Sequence, residues 1–338
     1  MRSRAALLPT PGDPFLIRYW LENYKKFWKD EVDHLYVHLN TSLEKEGVDY
    51  IMEMLNEVGA TVIYKDRQTT HGLAINELLE ITKETHIVLV EDDSYVFKKG
   101  KIDECFKKVE SGEFDCVAGK RGSCSMEILE QAEKKWGVRR DGFGDQGCNF
   151  WPNMFFIKKE DLLKTDRDFD SRRWEQGEYC KELDYTFKEE AAGDTMVHMS
   201  LQLRALGLSF WYENQYHGSP HDIQQYDNGQ NLWDGKSFWT HVGSLSSGIG
   251  GVLVDDQGRK LVERSFSEPA PFIVPPARID EWARRIQWWQ TFYDTSDPNK
   301  IPEFREEYRK AINRLTVETK VGNKKILKRQ RIYRELGL

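Results

Sequence analysis

Through residue 120, short unbroken apolar runs alternate with longer stretches whose apolar residues recur at the spacing of one helix face. Ala5–Leu8 predicts a strand, stopped by Pro9-Thr10-Pro11-Gly12. Asp13-Pro14 then reads as an N-cap followed by proline at the first helical position, and Leu16, Trp20, Asn23 and Phe27 carry the helix onward. Leu35–Leu39 predicts a second strand. Val48, Ile51, Met52, Leu55 and Val58 mark a second helix, which Gly59 ends as the residue past its C-terminus. Thr61–Tyr64 predicts a third strand. A third helix runs from His71 to about Lys83, with Ala74, Leu78 and Ile81 on one face. Ile87–Val90 is a fourth strand, Ile102–Val109 a further helix and Asp115–Ala118 a fifth strand.

Strands alternating with helices of this length predict an α/β fold whose mostly parallel sheet carries helices on both faces. The unbroken IVLV run suits a central strand buried on both sides. In open sheets of this kind, ligands bind beyond the carboxyl ends of the strands. Glu91, Asp92 and Asp93 follow IVLV directly, at that end.

The pattern changes over 121–192, where glycines, aromatics and polar residues mix, as in DGFGDQGCNFWPNMFFI. Loops and irregular strands covering a site are expected there. Periodicity returns at Asp194, with a helical stripe of Met196, Met199, Leu203 and Leu206 that Gly207 ends; Leu208–Tyr212 follows as a strand. Residues 214–250 are rich in Gly, Ser, Asn and His and predict a long loop region. After about 275, Ile279, Trp282, Ala283, Ile286, Trp289 and Tyr293 form one stripe, and a second helix begins near Pro302. The expected organisation is one domain over 1–250, with halves at 1–120 and 121–250, and a C-terminal helical appendage over 275–338.

Composition narrows the classes. The 39% hydrophobic and 12% aromatic content supports a sizeable packed core, which excludes a disordered chain. A net charge of −7 argues against a whole-chain grip on nucleic acid or an anionic membrane. The five cysteines are odd in number, with no pair at CxxC spacing, and read as reduced thiols in a cytoplasmic protein. No stretch approaches the roughly 18 apolar residues of a membrane span.

Adjacent carboxylates repel one another, so their clustering calls for a cation or a proton. At the mouth of a parallel sheet a divalent cation is the natural partner, since Mg²⁺ and Mn²⁺ take oxygen ligands and bridge to substrate phosphates. A solvated acidic turn after a strand is the plain alternative.

Three features lift the metal reading: PTPGDP after the first strand, the helix HGLAINELLE before the fourth, and the acidic triplet of IVLVEDDSYVF. A fourth is GDTMVHMSLQLRALGLSFWYENQYH, in which an acidic residue, a helix ending in Arg-x-x-Gly, a strand and a histidine follow in order. With these the chain resembles, over about residues 4 to 218, the nucleotide-sugar-dependent glycosyltransferases of the GT-A fold, in particular the family-two-like group. The triplet is similar to the DxD motif of that family, in the variant ExD. The resemblance implies Asp93 as direct metal ligand and Glu91 on the ribose or a metal-bound water, with Asp92 beside them in the nucleotide site. It implies Mn²⁺ or Mg²⁺ bridging the two phosphates of a nucleotide diphosphate sugar. His217 is implied as the later metal or phosphate ligand, with His221 as its competitor. Asp194 matches the catalytic base of inverting members; it also suits a plain helix N-cap. The family usually shows an acidic pair here, where this chain has Gly193-Asp194.

Nucleotide recognition is expected from Thr10, Pro11 and Asp13 in the first βα turn, Asn40 at the end of the second strand, Asp66 and Arg67 after the third, and His71 at a helix N-terminus that favours phosphate. Gly147 and Trp151 are expected near donor and acceptor, the first for close backbone approach and the second for stacking. Phe150, Trp151, Phe155 and Phe156 equally suit a core.

The appendage interleaves Arg278, Arg284 and Arg285 with Trp282, Trp288 and Trp289, then adds Lys320, Lys324, Lys325, Lys328, Arg329, Arg331 and Arg334. Basic residues among aromatics suit a nucleic-acid backbone with base stacking. In layout the chain is similar to the phage and protist glycosyltransferases that modify hydroxymethylated pyrimidines in DNA, which implies DNA as acceptor and, for a viral protein, the host cytoplasm. A carbohydrate or protein acceptor, a nucleotidyltransferase and a non-catalytic nucleotide-sugar-binding module are the alternatives.

Overall fold

The structure, a computed structural model, describes residues 3–12, 14–41, 45–66, 69–92, 94–96, 99–118, 124–138, 149–150 and 152–212, with short strands at Trp239–His241, Val252–Val254 and Lys260–Glu263. The chain opens with β1 (Arg4–Thr10), α1 (Pro14–Phe27), β2 (His34–Asn40), α2 (Lys45–Glu57), β3 (Thr61–Lys65), α3 (His71–Ile81) and β4 (His86–Val90). A short strand β5 (Ser94–Val96) leads to α4 (Lys101–Ser111) and β6 (Cys116–Ala118). Next come α5 (Met126–Trp136), β7 (Met154–Lys158) and the single turn α6 (Lys159–Leu162). Four short strands, β8 (Arg172–Trp174), β9 (Tyr179–Cys180), β10 (Tyr185–Thr186) and β11 (Ala191–Gly193), precede α7 (Val197–Ala205) and β12 (Phe210–Tyr212). The strand β13 (Trp239–His241) pairs antiparallel with β5.

Seven strands form the central sheet, in the order β12-β6-β7-β4-β1-β2-β3. All run parallel except β7, which is antiparallel to both of its neighbours. This is the α/β architecture expected from the alternation of strands and helices. Successive strand residues point to opposite faces, and both faces are covered. Ala6, Leu8, Val88, Val90 and Phe156 pack under α1, α2 and α4. Ala5, Leu7, Ile87, Leu89, Phe155 and Ile157 pack under α3 and α7. IVLV is therefore buried on both sides, as an unbroken apolar run requires.

Several expectations are corrected. Pro9 does not stop β1, which continues to Thr10. The β1–β4 ladder ends at Leu7 opposite Leu89, so the proline lies beyond it and pairs only along β2. Residues 121–192 contain more than loops: α5 and the sheet strand β7 lie within them. Phe150, Phe155 and Phe156 are buried core residues, as the core reading of that stretch expected. The helix after Asp194 starts three residues later than expected, and its N-cap position is Met196, at a left-handed φ of 71°. Ile81 and Leu206 are exposed, at the ends of their stripes.

The α5 helix packs with Trp174, Phe187, Ala191 and Leu201 in a third cluster, away from the two faces of the sheet. The strand β7 enters from the carboxyl edge and runs antiparallel to β4 and β6.

The expected appendage, residues 275–338, lies outside the described residues, and so does most of the 214–250 region. Among the described residues, no helix is long and apolar enough to cross a membrane. Cys105, Cys116, Cys124 and Cys180 are free thiols.

Candidate functional site

Parallel pairing brings the ends of β1, β2, β3 and β4 to one edge, and with them Thr10, Asn40, Asp66 and Glu91. At its centre, buried Thr10 Oγ1 donates to Asp92 Oδ2 at 2.7 Å. The same hydroxyl accepts from the Gly12 N–H at 3.1 Å, so one threonine ties the turn after β1 to the acidic turn after β4. Gly12 has a φ of +79°, and a Cβ there would lie 2.6 Å from Leu39 Cδ1. Only glycine suits both that backbone and that space. The Ser94 N–H donates to Glu91 O at 3.1 Å and closes the acidic turn. Pro11 and Glu91 are half-buried, Asn40 is buried and Asp66 is exposed.

At the start of α3, beside half-buried His71, the helix donors are already engaged within the chain. Thr70 Oγ1 accepts from the Leu73 N–H at 3.2 Å, and Asp170 Oδ1 accepts from the Gly72 N–H at 2.7 Å. A side chain at 72 would meet the Asp170 carboxylate at 2.7 Å. A phosphate at this N-terminus would have to displace a carboxylate from it.

The segment that supplies Asp170 also binds α7. The Met196 N–H donates to Phe169 O at 2.9 Å, and Asp168 Oδ2 lies 2.7 Å from His198 Nδ1. Because β12 runs parallel to β6, α7 returns the chain to the amino edge and its first turn lies at the carboxyl edge. Asp194 stands exposed before that turn, accepting from the Thr195 N–H at 2.8 Å. Gly193 packs so closely that a Cβ would lie 2.7 Å from Val197 Cγ1 and 3.2 Å from Trp174 Cζ3. An acidic pair at 193–194 would not fit this packing.

One charged constellation was missed. His198, 2% exposed on α7, faces Asp168, Arg172 and Glu182; its Nε2 lies 3.6 Å from Glu182 Oε2. Burial opposes the imidazolium, but Asp168 and then Glu182 outweigh it and push its pKa up to about 9. Burial likewise opposes ionised Glu182, and the imidazolium prevails, lowering its carboxyl to about 2. The sequence signal was a histidine inside the otherwise apolar start of α7. Its partners come from loops whose meeting no local spacing shows.

The structure thus bonds Thr10 directly to Asp92 and gathers Asn40, Glu91 and the start of α7 at one edge. Asp13, Arg67, Asp93, Gly147, Trp151, His217 and His221 lie outside the described residues. Among the described residues, no three His, Cys, Asp or Glu side chains form a group that would hold a metal by themselves. Glu91, Asp92 and Thr10 offer oxygen donors only, a set that suits Mg²⁺ or Mn²⁺ rather than a thiophilic ion. A cleft of about 520 Å³, lined by Lys83, His86, Lys158 and Lys159 among others, lies at the opposite, amino edge of the sheet and shares no residue with this site.

No family model and no curated protein matches the sequence. Among solved structures, the chain is similar to a mannosyltransferase from Pyrobaculum calidifontis in complex with GDP-Man and Mn²⁺, at 14% identity over 48% of this chain and 47% of that one, with a TM-score of 0.36. It is similar to glucosyl-3-phosphoglycerate synthase from Mycobacterium tuberculosis in complex with Mn²⁺ and UDP-glucose, at 18% identity over 48% and 58%, with a TM-score of 0.35. It is also similar to S. aureus TarS in complex with UDP-GlcNAc, at 11% identity over 64% and 60%, with a TM-score of 0.37. The chain spans about half the length of the solved chains it matches.

Proposed function

We propose that the chain is a metal-dependent glycosyltransferase that moves a sugar from a nucleotide diphosphate sugar to an acceptor hydroxyl. The observation that carries this reading is the Thr10–Asp92 hydrogen bond, which holds a buried carboxylate at the carboxyl edge between β1 and β4, beside Glu91. Support also comes from the resemblance of the surrounding motifs to the family-two-like GT-A group. Thr10, Pro11, Asp13, Asn40, Asp66, Arg67 and His71 surround the nucleotide in this reading. Glu91, Asp93 and His217 would hold Mn²⁺ or Mg²⁺, which would supply Lewis acidity toward the charge of a departing diphosphate. Asp194, exposed at the amino end of α7, takes the proton of the acceptor hydroxyl as that oxygen bonds to the anomeric carbon. Gly147 and Trp151 flank the acceptor.

The finer reading is that the acceptor is the hydroxymethyl group of a 5-hydroxymethylpyrimidine in DNA, in a phage-like setting. The basic and aromatic residues of 275–338 support it. A base inside a duplex would have to leave the stack to reach the site.

Thermal stability is expected to rise when a nucleoside diphosphate and Mn²⁺ are added together, by linkage. No shift with any common nucleoside diphosphate removes the donor reading. Asp93→Ala is expected to abolish metal-dependent turnover and leave the fold intact. Incubation with a nucleotide sugar and hydroxymethylated DNA, followed by nucleoside mass measurement, tests the acceptor; unchanged base masses would favour carbohydrate or protein.

A further inference from the structure

Two buried carboxamides near the acidic turn behave in opposite ways. Asn23 on α1 is 1% exposed and uses both ends: Nδ2 donates to Val96 O at 2.8 Å, and Oδ1 accepts from the Val96 N–H at 2.9 Å. It completes the edge of β5 as a strand would. Asn153 is 0% exposed, and among the described residues neither its Nδ2 nor its Oδ1 has a hydrogen-bond partner. Buried polar groups are nearly always satisfied, because an unmade hydrogen bond away from water is costly. Among the described residues, a doubly orphaned amide in the turn before β7 is therefore a place where polar groups from outside the chain could bind.

Its position says which site it serves. Asn153 immediately precedes β7, and Met154 pairs with Val90. One step further along the antiparallel register sets Asn153 opposite Glu91. Phe155 and Ile157 face α3 and α7, and so do Ile87 and Leu89. Asn153 and Glu91 are thus the first residues beyond the paired ladder at the carboxyl edge, and Asp92, the next residue, meets Thr10. The α7 helix packs over Leu89 and Phe155, close to this end of the ladder, with Asp194 ahead of its first turn. A second orphan lies in the same turn: among the described residues the buried Ser94 hydroxyl has no partner, and its N–H is bonded to Glu91 O.

We propose that Asn153 binds the transferred sugar of the donor, its carboxamide hydrogen-bonding the sugar hydroxyls between the acidic turn and Asp194. The assignment rests on the glycosyltransferase reading above and names a sugar-recognising residue within it. A carboxamide presents a donor and an acceptor side by side, which matches hydroxyls that both donate and accept. It carries no charge, so it adds no repulsion beside Glu91 and Asp92, whereas phosphates would call for a cationic partner. Asn153 therefore discriminates the sugar and leaves affinity for the diphosphate unchanged.

The test is calorimetric titration of UDP and GDP, and of their glucose and mannose esters, in MnCl₂, into the wild-type protein and Asn153→Leu. The expected result is an Asn153→Leu affinity for the preferred nucleotide sugar at least about tenfold weaker, about 1.4 kcal/mol, with nucleoside diphosphate affinity unchanged within about twofold. The midpoint of thermal unfolding without ligand should not fall, because the orphaned amide is gone. Should the leucine variant fail to fold, Asn153→Ser carries the same comparison. Undiminished sugar preference in a variant overturns the assignment and leaves the glycosyltransferase reading standing. Equal loss for sugar-bearing and sugar-free nucleotides reveals a structural amide and also overturns it. Wild-type protein that binds no nucleoside diphosphate overturns the reading itself.

Discussion

Replacing His198 with glutamine should remove a pH-dependent share of stability that holds the start of α7 in place. Below about pH 6.5, the imidazole is charged in both folded and unfolded chains. In the folded protein its pKa is pushed up to about 9, because Asp168 and Glu182 outweigh the burial that opposes the charge. A raised folded value means that the stabilisation is complete below the unfolded pKa and is lost as pH rises through about 9. A shift from 6.5 to about 9 corresponds to about 3 kcal/mol. Asp168 is 36% exposed, and solvent screening of that partner brings the expectation to about 2 kcal/mol. Urea unfolding between about pH 6 and pH 10 measures it. The wild-type free energy should fall across this range relative to His198→Gln, which lacks the titrating group. The comparison is of slopes, since the glutamine also leaves Glu182, 4% exposed, with only the exposed Lys181 ammonium at 3.5 Å and lowers stability at every pH. Parallel curves, or an imidazole that titrates near pH 6.5 by NMR, would refute the charge network.

Thr10→Val keeps the shape of the residue but removes the donor to Asp92 and the acceptor for the Gly12 N–H. A hydrogen bond to a charged group contributes about 1.5–3 kcal/mol; that loss is expected in urea unfolding, with weaker Mn²⁺-dependent nucleotide binding and recovery in Thr10→Ser. Valine behaving as threonine in both assays would mean that this bond does not organise the edge. Gly12→Ala places a Cβ in the left-handed region and against Leu39 and Thr41. It should cost about 1–3 kcal/mol of stability, and an unchanged unfolding midpoint would show that the turn relaxes freely.

Much of the first half was legible because its signals are local. Gly59 past α2 and the IVLV of β4 each act through neighbours in sequence. The exceptions share a cause. Pro9 is a strand breaker wherever both sides of a strand are paired, and only the register shows that the β4 ladder has ended before it. The apolar run of β7 is plain, but side-chain pattern says nothing about strand direction. Met196 takes the helix-capping position at positive φ because Phe169 O accepts its N–H, a contact across 27 residues of chain.

The same division runs through the candidate site. The sequence by itself determined that acidic residues would stand at the exit of a buried strand, because unbroken hydrophobicity followed by three carboxylates has few other solutions in a parallel sheet. Only the tertiary structure decided what each neighbour does. Asp92 became the anchored acid because β1 delivers Thr10 to it over 82 residues. The α3 N-terminus is capped by Asp170 because a loop from the second half reaches it. Among the described residues Asn153 is without partners, although the chemically identical Asn23 has both. Residue type sets which hydrogen bonds a side chain is able to make. Which are made depends on what the sheet register and the crossing loops bring within three ångströms, and local sequence carries little of that information.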